Sequence, residues 1–266
     1  MKKFMKLGVL FVALTSSALL ATTTFVFAMP DETEIAIGRA VDARLKKQYG
    51  VFENQGIQKY IEYVGLKIVN VSNRRDMVYH FVTLDTDEIN AIASVGGYVY
   101  ITKGFLKKLD SESKLAAALA TEIMHIAGRH GIRDIEKSMQ PDMKTVLTKK
   151  DTLLRGINTA YNIIELGLNK KLQFDADIKG AECLLNAGYD PEAMVKMLDV
   201  IQIEEKQNRL SVADFLITHY KTTKRIDSVR RMLENLRAAG PVKYDSVKGN
   251  NYPEKYKSGV LDIICH

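Results

Sequence analysis

Apolar side chains recur at intervals of three and four residues along most of the chain, which predicts a mainly helical protein. The strongest of these patterns runs from Leu115 to His130, where alanines fill most positions between the apolar ones. Asp110 and Ser111 precede it, and both are residue types that cap helix N-termini. Similar spacing predicts further helices at 31–49, 55–71, 104–109, 153–168, 172–187, 191–206 and 224–238.

Two other stretches carry β-branched and aromatic residues, which predicts strands at Val78–Leu84 and Tyr98–Thr102. Gly96 and Gly97 precede the second strand and allow a tight backbone there. We expect this second strand to form an edge of the sheet and to bind an extended peptide by strand addition. The complete pattern predicts an α+β fold, a mostly helical single domain with a small β-sheet packed near the central helix.

The first 28 residues have the composition of an export signal. Lysines at positions 2, 3 and 6 precede an apolar stretch from Leu7 to Leu20, and small residues then occupy the −3 and −1 positions of a cleavage site. This pattern predicts a secretory signal peptide cleaved after about Ala28, with an uncleaved membrane anchor as the alternative. We therefore expect a signal peptide at 1–28, a folded domain at 29–240, a polar, solvated C-terminal tail at 241–266, and a location in the periplasm or cell envelope.

The charge of the chain gives no support to a nucleic-acid partner. The formal net charge is +6, and removal of the predicted signal peptide takes away three lysines and no acidic residue, which halves it. Export permits a disulfide between the two cysteines, Cys183 and Cys265. Two free thiols fit the sequence equally well.

The central helix contains the pentapeptide Thr121-Glu122-Ile123-Met124-His125. In the His-Glu-x-x-His motif of zinc peptidases, two histidines four residues apart face one metal and the glutamate acts as general base. The glutamate and the second histidine are present here, and Thr121 stands at the position of the first histidine. This replacement decides most of what can be said about function.

Several segments, in order, resemble family 48 of the metallopeptidases, the HtpX-like zinc endopeptidases, and specifically its exported bacterial members. Asn90–Tyr98 is similar to the family's Asn-Ala-x-Ala-x-Pro-Gly-Gly-Tyr segment, with Val95 in place of the proline. The other matching segments are Gly128-Arg129-His130 at the helix end, Gln173–Asp177 for Glu-x-x-Ala-Asp, Ala187–Pro191, Thr218-His219-Tyr220 for Thr-His-Pro, and Arg225-Ile226. The resemblance covers about residues 33–235.

The resemblance implies roles for individual residues. The family's zinc ligands fall on Thr121, His125 and Gln173, so His125 is the one metal ligand retained and the other two are lost ligand positions. The remaining implied roles are a general base at Glu122, a catalytic or substrate-contacting group at His219, an orienting carboxylate behind the ligands at Asp177, and a substrate-binding strand at Gly97, Tyr98 and Val99.

The chemistry of the two replacements predicts a weak metal site. Threonine is not among the usual zinc ligands, and a glutamine offers a neutral amide where the metal needs a charged carboxylate. Asp175 is rotated by roughly 200° from Gln173 along a helix and should face away, whereas Asp177 shares the face of Gln173. His130, five residues after His125, should also lie off the metal face. We expect zinc to bind weakly or not at all.

Two hypotheses remain open from the sequence. The first is an exported, catalytically impaired peptidase that holds extended or unfolded polypeptides, such as envelope proteins or chains at the membrane periphery. The second is an active zinc endopeptidase with His125, Asp177 and His219 as ligands and Glu122 as general base. The sequence gives no indication of the oligomeric state.

Overall fold

A computed structural model describes residue 29 and residues 31–139, 149–166, 170–207 and 222–265. The predicted signal peptide at 1–28 and the Thr218-His219-Tyr220 segment lie outside these described residues. Within the described ranges, no helix combines the length and the apolar character needed to cross a bilayer.

The described residues form a mostly helical α+β domain with a small sheet, so the predicted fold class is confirmed. The longer helices are α1 (Asp31–Tyr49), α2 (Gln55–Val69), α3 (Lys103–Lys108), α4 (Glu112–Ala127), α5 (His130–Met139), α6 (Lys149–Leu166), α7 (Lys170–Asn186), α8 (Ala193–Lys206) and α9 (Thr222–Ala239). The strands are β1 (His80–Leu84), β2 (Ala91–Ser94) and β3 (Tyr98–Thr102), with a 3₁₀ turn at Val95–Gly97. The C-terminal helices are α10 (Pro241–Val247), α11 (Pro253–Tyr256), a π-helical turn at Lys257–Leu261 and α12 (Asp262–Ile264).

The strand order is β1-β3-β2, with β1 parallel and β2 antiparallel to β3. The expectation that Tyr98–Thr102 is an edge strand is therefore wrong, and Gly97, Tyr98 and Val99 do not provide a free edge for a peptide. All five residues of β3 are buried, as expected for a continuous apolar run between two neighbours. The two outer strands of the sheet are β1 and the short, alanine-rich β2, which the sequence analysis left unassigned.

Alternate residues of β3 point to opposite faces of the sheet and enter two separate hydrophobic clusters. Val99 and Ile101 pack in the cluster around α4, together with α2, α7, α8 and α9. Tyr98 and Tyr100 pack in the cluster formed with α1, α5 and α6. The sheet thus lies between α1 and α4, and α4 is surrounded by α2, α7, α8 and β2.

The central helix begins and ends three residues earlier than its sequence pattern predicts. It ends at Ala127, Arg129 adopts a left-handed conformation with a φ of 53°, and a new helix begins at His130. A left-handed residue stops the helical path, so the side chains after it no longer follow the rotation of α4. His130 therefore does not lie where a continuous helix would place it.

The C-terminal segment is folded onto the domain, so the expectation of a solvated tail is wrong. Tyr244, Tyr256 and Val260 are fully buried among its lysines. The Tyr256 hydroxyl donates a hydrogen bond to the Leu106 carbonyl at 2.7 Å. A few aromatic and aliphatic side chains anchor this polar segment to the domain. The average composition of the segment does not reveal them.

The structure decides between the two alternatives for the cysteines. Cys183 is buried on α7, Cys265 is exposed near the C-terminus, and both are free. The Cys183 thiol lies 3.7 Å from the sulfur of Met124 on α4. It acts as a small apolar group in the core.

Two valines of the C-terminal segment test whether it is docked. We expect Val260→Ala to lower the free energy of unfolding by about 2 kcal/mol, because buried methyl groups are removed and a cavity remains. Val242 is 84% exposed, so Val242→Ala should change it by less than about 0.5 kcal/mol. Urea unfolding of the full chain measures both values. Equal, small effects would mean that the segment is not packed in solution.

Candidate functional site

Helix α4 places Thr121, Glu122 and His125 side by side under β2, and all three are buried. Within the described ranges, no strand pairs with the outer edge of β2. The backbone amide of Ala93 on β2 donates a hydrogen bond to the Glu122 carboxylate. Two cavities flank this contact. The larger lies on the His125 side and contains about 400 Å³ of empty space that is partly open to solvent, and the smaller lies on the Thr121 side with about 270 Å³ of such space.

The larger cavity has an apolar wall and a charged wall. Val95 and residues of α5 and α6, including Ile132, Ala160 and Ile163, form the apolar wall. At the charged wall, the buried Glu34 carboxylate accepts hydrogen bonds from both terminal nitrogens of Arg74, at 3.0 and 2.7 Å, and from the Gly96 amide at 3.2 Å.

Helix α1 reaches this wall because Gly38 has no side chain. A Cβ on Gly38 would lie 2.3 Å from the Val95 carbonyl oxygen. The close approach of α1 to the 3₁₀ turn brings Glu34 against the end of β2. Neither Glu34 nor Arg74 was identified from the sequence, although a glutamate three residues before Ile37 lies on the apolar stripe of α1.

The smaller cavity is the site of the threonine replacement. Its apolar lining includes Phe105, Met197 and Ile201, and its polar groups are Asn90, Thr121, Glu122 and Arg225. The side-chain oxygen of Asn90 is buried and has no hydrogen-bond partner among the described residues. The cavity is therefore a mainly apolar pocket with a few polar groups.

Asp177 and Arg225 form an ion pair directly behind Thr121. The guanidinium donates through Nε to one carboxylate oxygen at 2.7 Å and through Nη2 to the other at 2.8 Å. The Thr121 hydroxyl lies 3.2 Å from the same carboxylate and donates to it. Both partners are almost completely buried, so both carboxylate oxygens are used inside the protein.

The charges of this cluster shift the pKa values of its members. Burial alone would lower the pKa of Arg225, but Asp177, Glu122 and Glu205 outweigh it, and the pKa is raised. Burial raises the pKa of Glu122 to about 8, and Asp177 adds to that shift, while Arg225 and the Ala93 amide oppose it. At neutral pH Glu122 is therefore mainly protonated and uncharged.

Helix α7 presents the other predicted site residues as expected. Gln173 and Asp177 are buried on the face toward α4, whereas Asp175 is partly exposed and pairs with Lys179 at 2.8 Å. Asp175 is rotated away from Gln173 and Asp177, as the helical spacing predicts. It still borders the site, because its carboxylate lies 3.2 Å from Nε2 of His130.

His130 was expected to lie away from the site, and this expectation is wrong. Its Nδ1 lies 2.9 Å from Nδ1 of His125, and the two rings meet edge to face. The reason is the chain reversal at Arg129, which returns His130 toward α4. Burial lowers the pKa of His130, and nearby Arg133 and Lys179 add to this effect against the opposing charge of Asp175.

The donor groups of this site do not fit a zinc ion. A catalytic zinc takes three protein ligands from His, Glu, Asp and Cys. Here the threonine hydroxyl is hydrogen-bonded to Asp177, and that carboxylate is held by Arg225. Among the described residues, no three His, Cys, Asp or Glu side chains are grouped so as to hold a metal ion. His219, the remaining candidate, lies outside the described residues.

Comparison with known proteins agrees with the motifs. A family model described as peptidase family M48 matches residues 55–233. The beta-barrel assembly-enhancing protease of Escherichia coli K12 is 24% identical over 219 residues, which cover 77% of this chain and 44% of that protein. The putative beta-barrel assembly-enhancing protease of Vibrio cholerae is 26% identical over 225 residues, which cover 80% and 46%.

A eukaryotic relative matches over a shorter segment. The mitochondrial metalloendopeptidase OMA1 of Schizosaccharomyces pombe is 26% identical over 178 residues, which cover 65% of this chain and 52% of that protein. The chain thus spans about half the length of these relatives.

Substitution of Arg225 tests the buried ion pair. We expect Arg225→Met to lower the free energy of unfolding by about 3–5 kcal/mol, because the Asp177 carboxylate is left buried without its partner. The matched control is Lys107→Met, which breaks an exposed pair with Asp87 and should change stability very little. Urea unfolding checks both, and a similarly small loss for the two variants would contradict the described burial.

The raised pKa of Glu122 predicts a pH-dependent cost to stability. The unfolded chain releases the Glu122 proton near the ordinary pKa of 4.5, and the folded chain releases it near 8. Stability from this group is therefore lost as pH rises through that window. Glu122→Gln mimics the protonated form. We expect its free energy of unfolding to rise relative to that of the natural protein by at least about 1.4 kcal/mol as the pH increases from 4.5 to about 8.

Unfolding curves of both proteins at about pH 5 and about pH 8.5 measure the difference between them. Glu182 on α7 is exposed, so Glu182→Gln serves as the control. The difference in stability between this variant and the natural protein should not change with pH. A gap between Glu122→Gln and the natural protein that stays constant with pH would show that Glu122 is ionised throughout.

Proposed function

This chain belongs to peptidase family M48, and on that premise we propose that it is a catalytically impaired member that holds extended polypeptides of the cell envelope in its cleft. One observation carries the proposal. Thr121 stands at the first ligand position, and its hydroxyl donates to a carboxylate that Arg225 already engages through both oxygens. The side chain at this ligand position is therefore already engaged in hydrogen bonding within the protein.

The electrostatics of the cleft support the loss of zinc. Gln173 supplies no negative charge to balance a divalent ion at the third ligand position. Glu122 is mainly protonated near neutral pH, and a protonated carboxylic acid cannot accept a proton as a general base.

The edge strand β2 supports the retention of a peptide-binding cleft. An extended peptide pairs with an exposed strand edge through backbone hydrogen bonds, and pockets for alternate side chains give specificity. The small side chains of Ala91 and Ala93 leave the edge accessible, and a mainly apolar cavity lies on each side. These features favour an apolar segment of an unfolded chain as the ligand.

The envelope location rests on two observations of different kind. The first 28 residues have the pattern of a secretory signal peptide. One bacterial relative is called a beta-barrel assembly-enhancing protease, and a second is called a putative one. We propose that the ligand is an unfolded or misassembled envelope protein.

The alternative is an active endopeptidase that uses His125, Asp177 and His219 as ligands. For this arrangement Asp177 would have to release Arg225, and the guanidinium would then be buried without its strongest partner. The cost of leaving one ion of a buried pair unpaired is several kcal/mol. A catalytically impaired protein requires no such rearrangement.

Zinc content and casein cleavage, measured for the natural protein and for a double variant, distinguish the two proposed functions. We expect the full chain, expressed with its own N-terminal segment, to hold far less than one zinc per chain by mass spectrometry of metals and to show no chelator-sensitive casein cleavage. The double variant Thr121→His/Gln173→Glu restores two ligands and should gain zinc, with His125→Ala in that background as the control. Stoichiometric zinc with chelator-sensitive cleavage in the natural protein would overturn the proposal.

Binding of a permanently unfolded protein, such as reduced and alkylated casein, tests the cleft in the same experiment. Ala93→Pro removes the β2 amide, which donates to Glu122 and which a paired peptide would engage instead, and should weaken binding by up to about tenfold, the value of roughly one hydrogen bond. Ala93→Ser keeps the amide and should bind as the natural protein does. Equal affinities of all three proteins would show that polypeptide does not pair with β2.

A further inference from the structure

The larger cavity contains a buried hydroxyl group that has nothing to bind. Ser94, at the end of β2, lines the cavity and is 5% exposed. Its hydroxyl oxygen has no hydrogen-bond partner among the described residues. Buried hydroxyl groups are rarely left unpaired in folded proteins, because their lost hydrogen bonds to water are not compensated. The hydroxyl hydrogen turns freely about the C–O bond, so Ser94 can donate to an oxygen atom placed in the cavity.

Arg129 adds a positive charge to the same cavity. Its side chain is 35% exposed, and its guanidinium lies 3.8 Å from Asp31 and 3.9 Å from Glu34. Both separations are longer than a hydrogen bond, and the described part of the chain offers the guanidinium no closer acceptor. Its N–H groups are therefore available to an anionic ligand.

The charges around Arg129 leave room for one more negative group. Glu34 would repel an anion, but Arg74 donates to both of its carboxylate oxygens and balances its charge. Asp31, the other acid near Arg129, has a side chain that is 75% exposed. An exposed ion pair of this kind is weak in water, so an incoming anion displaces Asp31 at little cost.

An apolar wall lies in the same cavity as these two donors. It includes Val95, Ile132, Ala160 and Ile163. A polypeptide carries a carboxylate and an apolar side chain on one residue only at its C-terminal end. At an internal aspartate or glutamate the side chain is itself the carboxylate, and that residue has nothing left to contact the apolar wall. The lining therefore fits the end of a chain better than an internal acidic residue.

Strand β2 leads into this cavity. It runs from Ala91 to Ser94, and both Ala93 and Ser94 line the cavity. A chain paired in the parallel direction with the outer edge of β2 would bring its C-terminal end to the cavity, whereas an antiparallel chain would bring its N-terminal end. An N-terminal ammonium group would meet the like charge of Arg129, so the parallel direction is favoured.

We propose that the larger cavity binds the free C-terminal end of a polypeptide, with the terminal carboxylate on Arg129 and the Ser94 hydroxyl and the last, apolar side chain against Val95 and Ile132. Recognition of a chain end rests on the proposed function, because it specifies which part of the held polypeptide the cleft binds. Arg129 then has two roles, since its left-handed backbone also separates α4 from α5.

Three labelled peptides test this recognition on the full chain. Two are fluorescein-labelled decapeptides without acidic residues that end in valine, one as the free acid and one as the C-terminal amide. The third is the amide with one internal glutamate, which has the net charge of the free acid. Fluorescence anisotropy measures the affinities. We expect the free acid to bind about tenfold more tightly than either amide, because its hydrogen bonds to Arg129 are charge-assisted.

Four variants locate the preference in the cavity. Arg129→Asn removes the charge and keeps a residue type that tolerates the left-handed conformation, so free acid and amide should bind equally. Arg129→Lys keeps the charge and should keep part of the preference. Arg133→Gln removes an exposed charge outside the cavity lining and should keep all of it. Ser94→Ala should weaken binding of the free acid about fivefold, the value of one hydrogen bond.

Reduced and alkylated casein, measured beside the peptides, separates this inference from the proposed function. Equal binding of free acid and amide, or tight binding of the internal glutamate peptide, would overturn recognition of the chain end. So would a full preference in Arg129→Asn, or casein binding without any binding of the free acid. In each of these cases, casein binding that depends on β2 leaves the proposed function standing. Failure of casein and of all three peptides to bind would overturn both.

Discussion

The buried ion pair of Asp177 and Arg225 is the constraint on which the centre of this structure depends. An unpaired charge in this environment costs several kcal/mol, so each partner requires the other. The pair joins α7 to α9, and the Thr121 hydroxyl adds α4 to the same carboxylate. Three helices are thus fixed relative to one another at one point. The orientation of Thr121, Glu122 and His125 toward β2 follows from that point.

The sequence predicted the elements where periodicity was strong and failed where a single residue changed the path of the chain. Helix α1 has its predicted bounds, 31–49. Arg129 ends the central helix early through a left-handed conformation that no periodicity reveals, and His130 was misplaced as a result. The edge position of β2 was also missed, because four residues with alanine at alternate positions carry almost no β-propensity signal.

The sequence identified the candidate site residues, but it did not identify the side chains with which they pair. The motifs identified Thr121, Glu122, His125, Gln173 and Asp177, and all five are buried and grouped where α4 meets α7. The sequence contains nothing that says which charge faces which. Arg225 lies 48 residues after Asp177, and Glu34 lies 40 residues before Arg74. Long-range pairs of this kind emerge only when the helices are assembled.

The two replacements, Thr121 and Gln173, stand at ligand positions of the family motifs, and the groups behind them form a continuous set of hydrogen bonds and ion pairs. Asp177 accepts a hydrogen bond from a threonine hydroxyl, and a ring N–H of an imidazole at the same position is a donor of the same kind. His130 lies against His125, and Asp175 in turn lies against His130. The fold therefore contains the supports that ligands at positions 121 and 125 would need. Those supports persist because removing them would leave buried charges and donors unpaired, a cost that the folded state must avoid whether or not the cleft is catalytic.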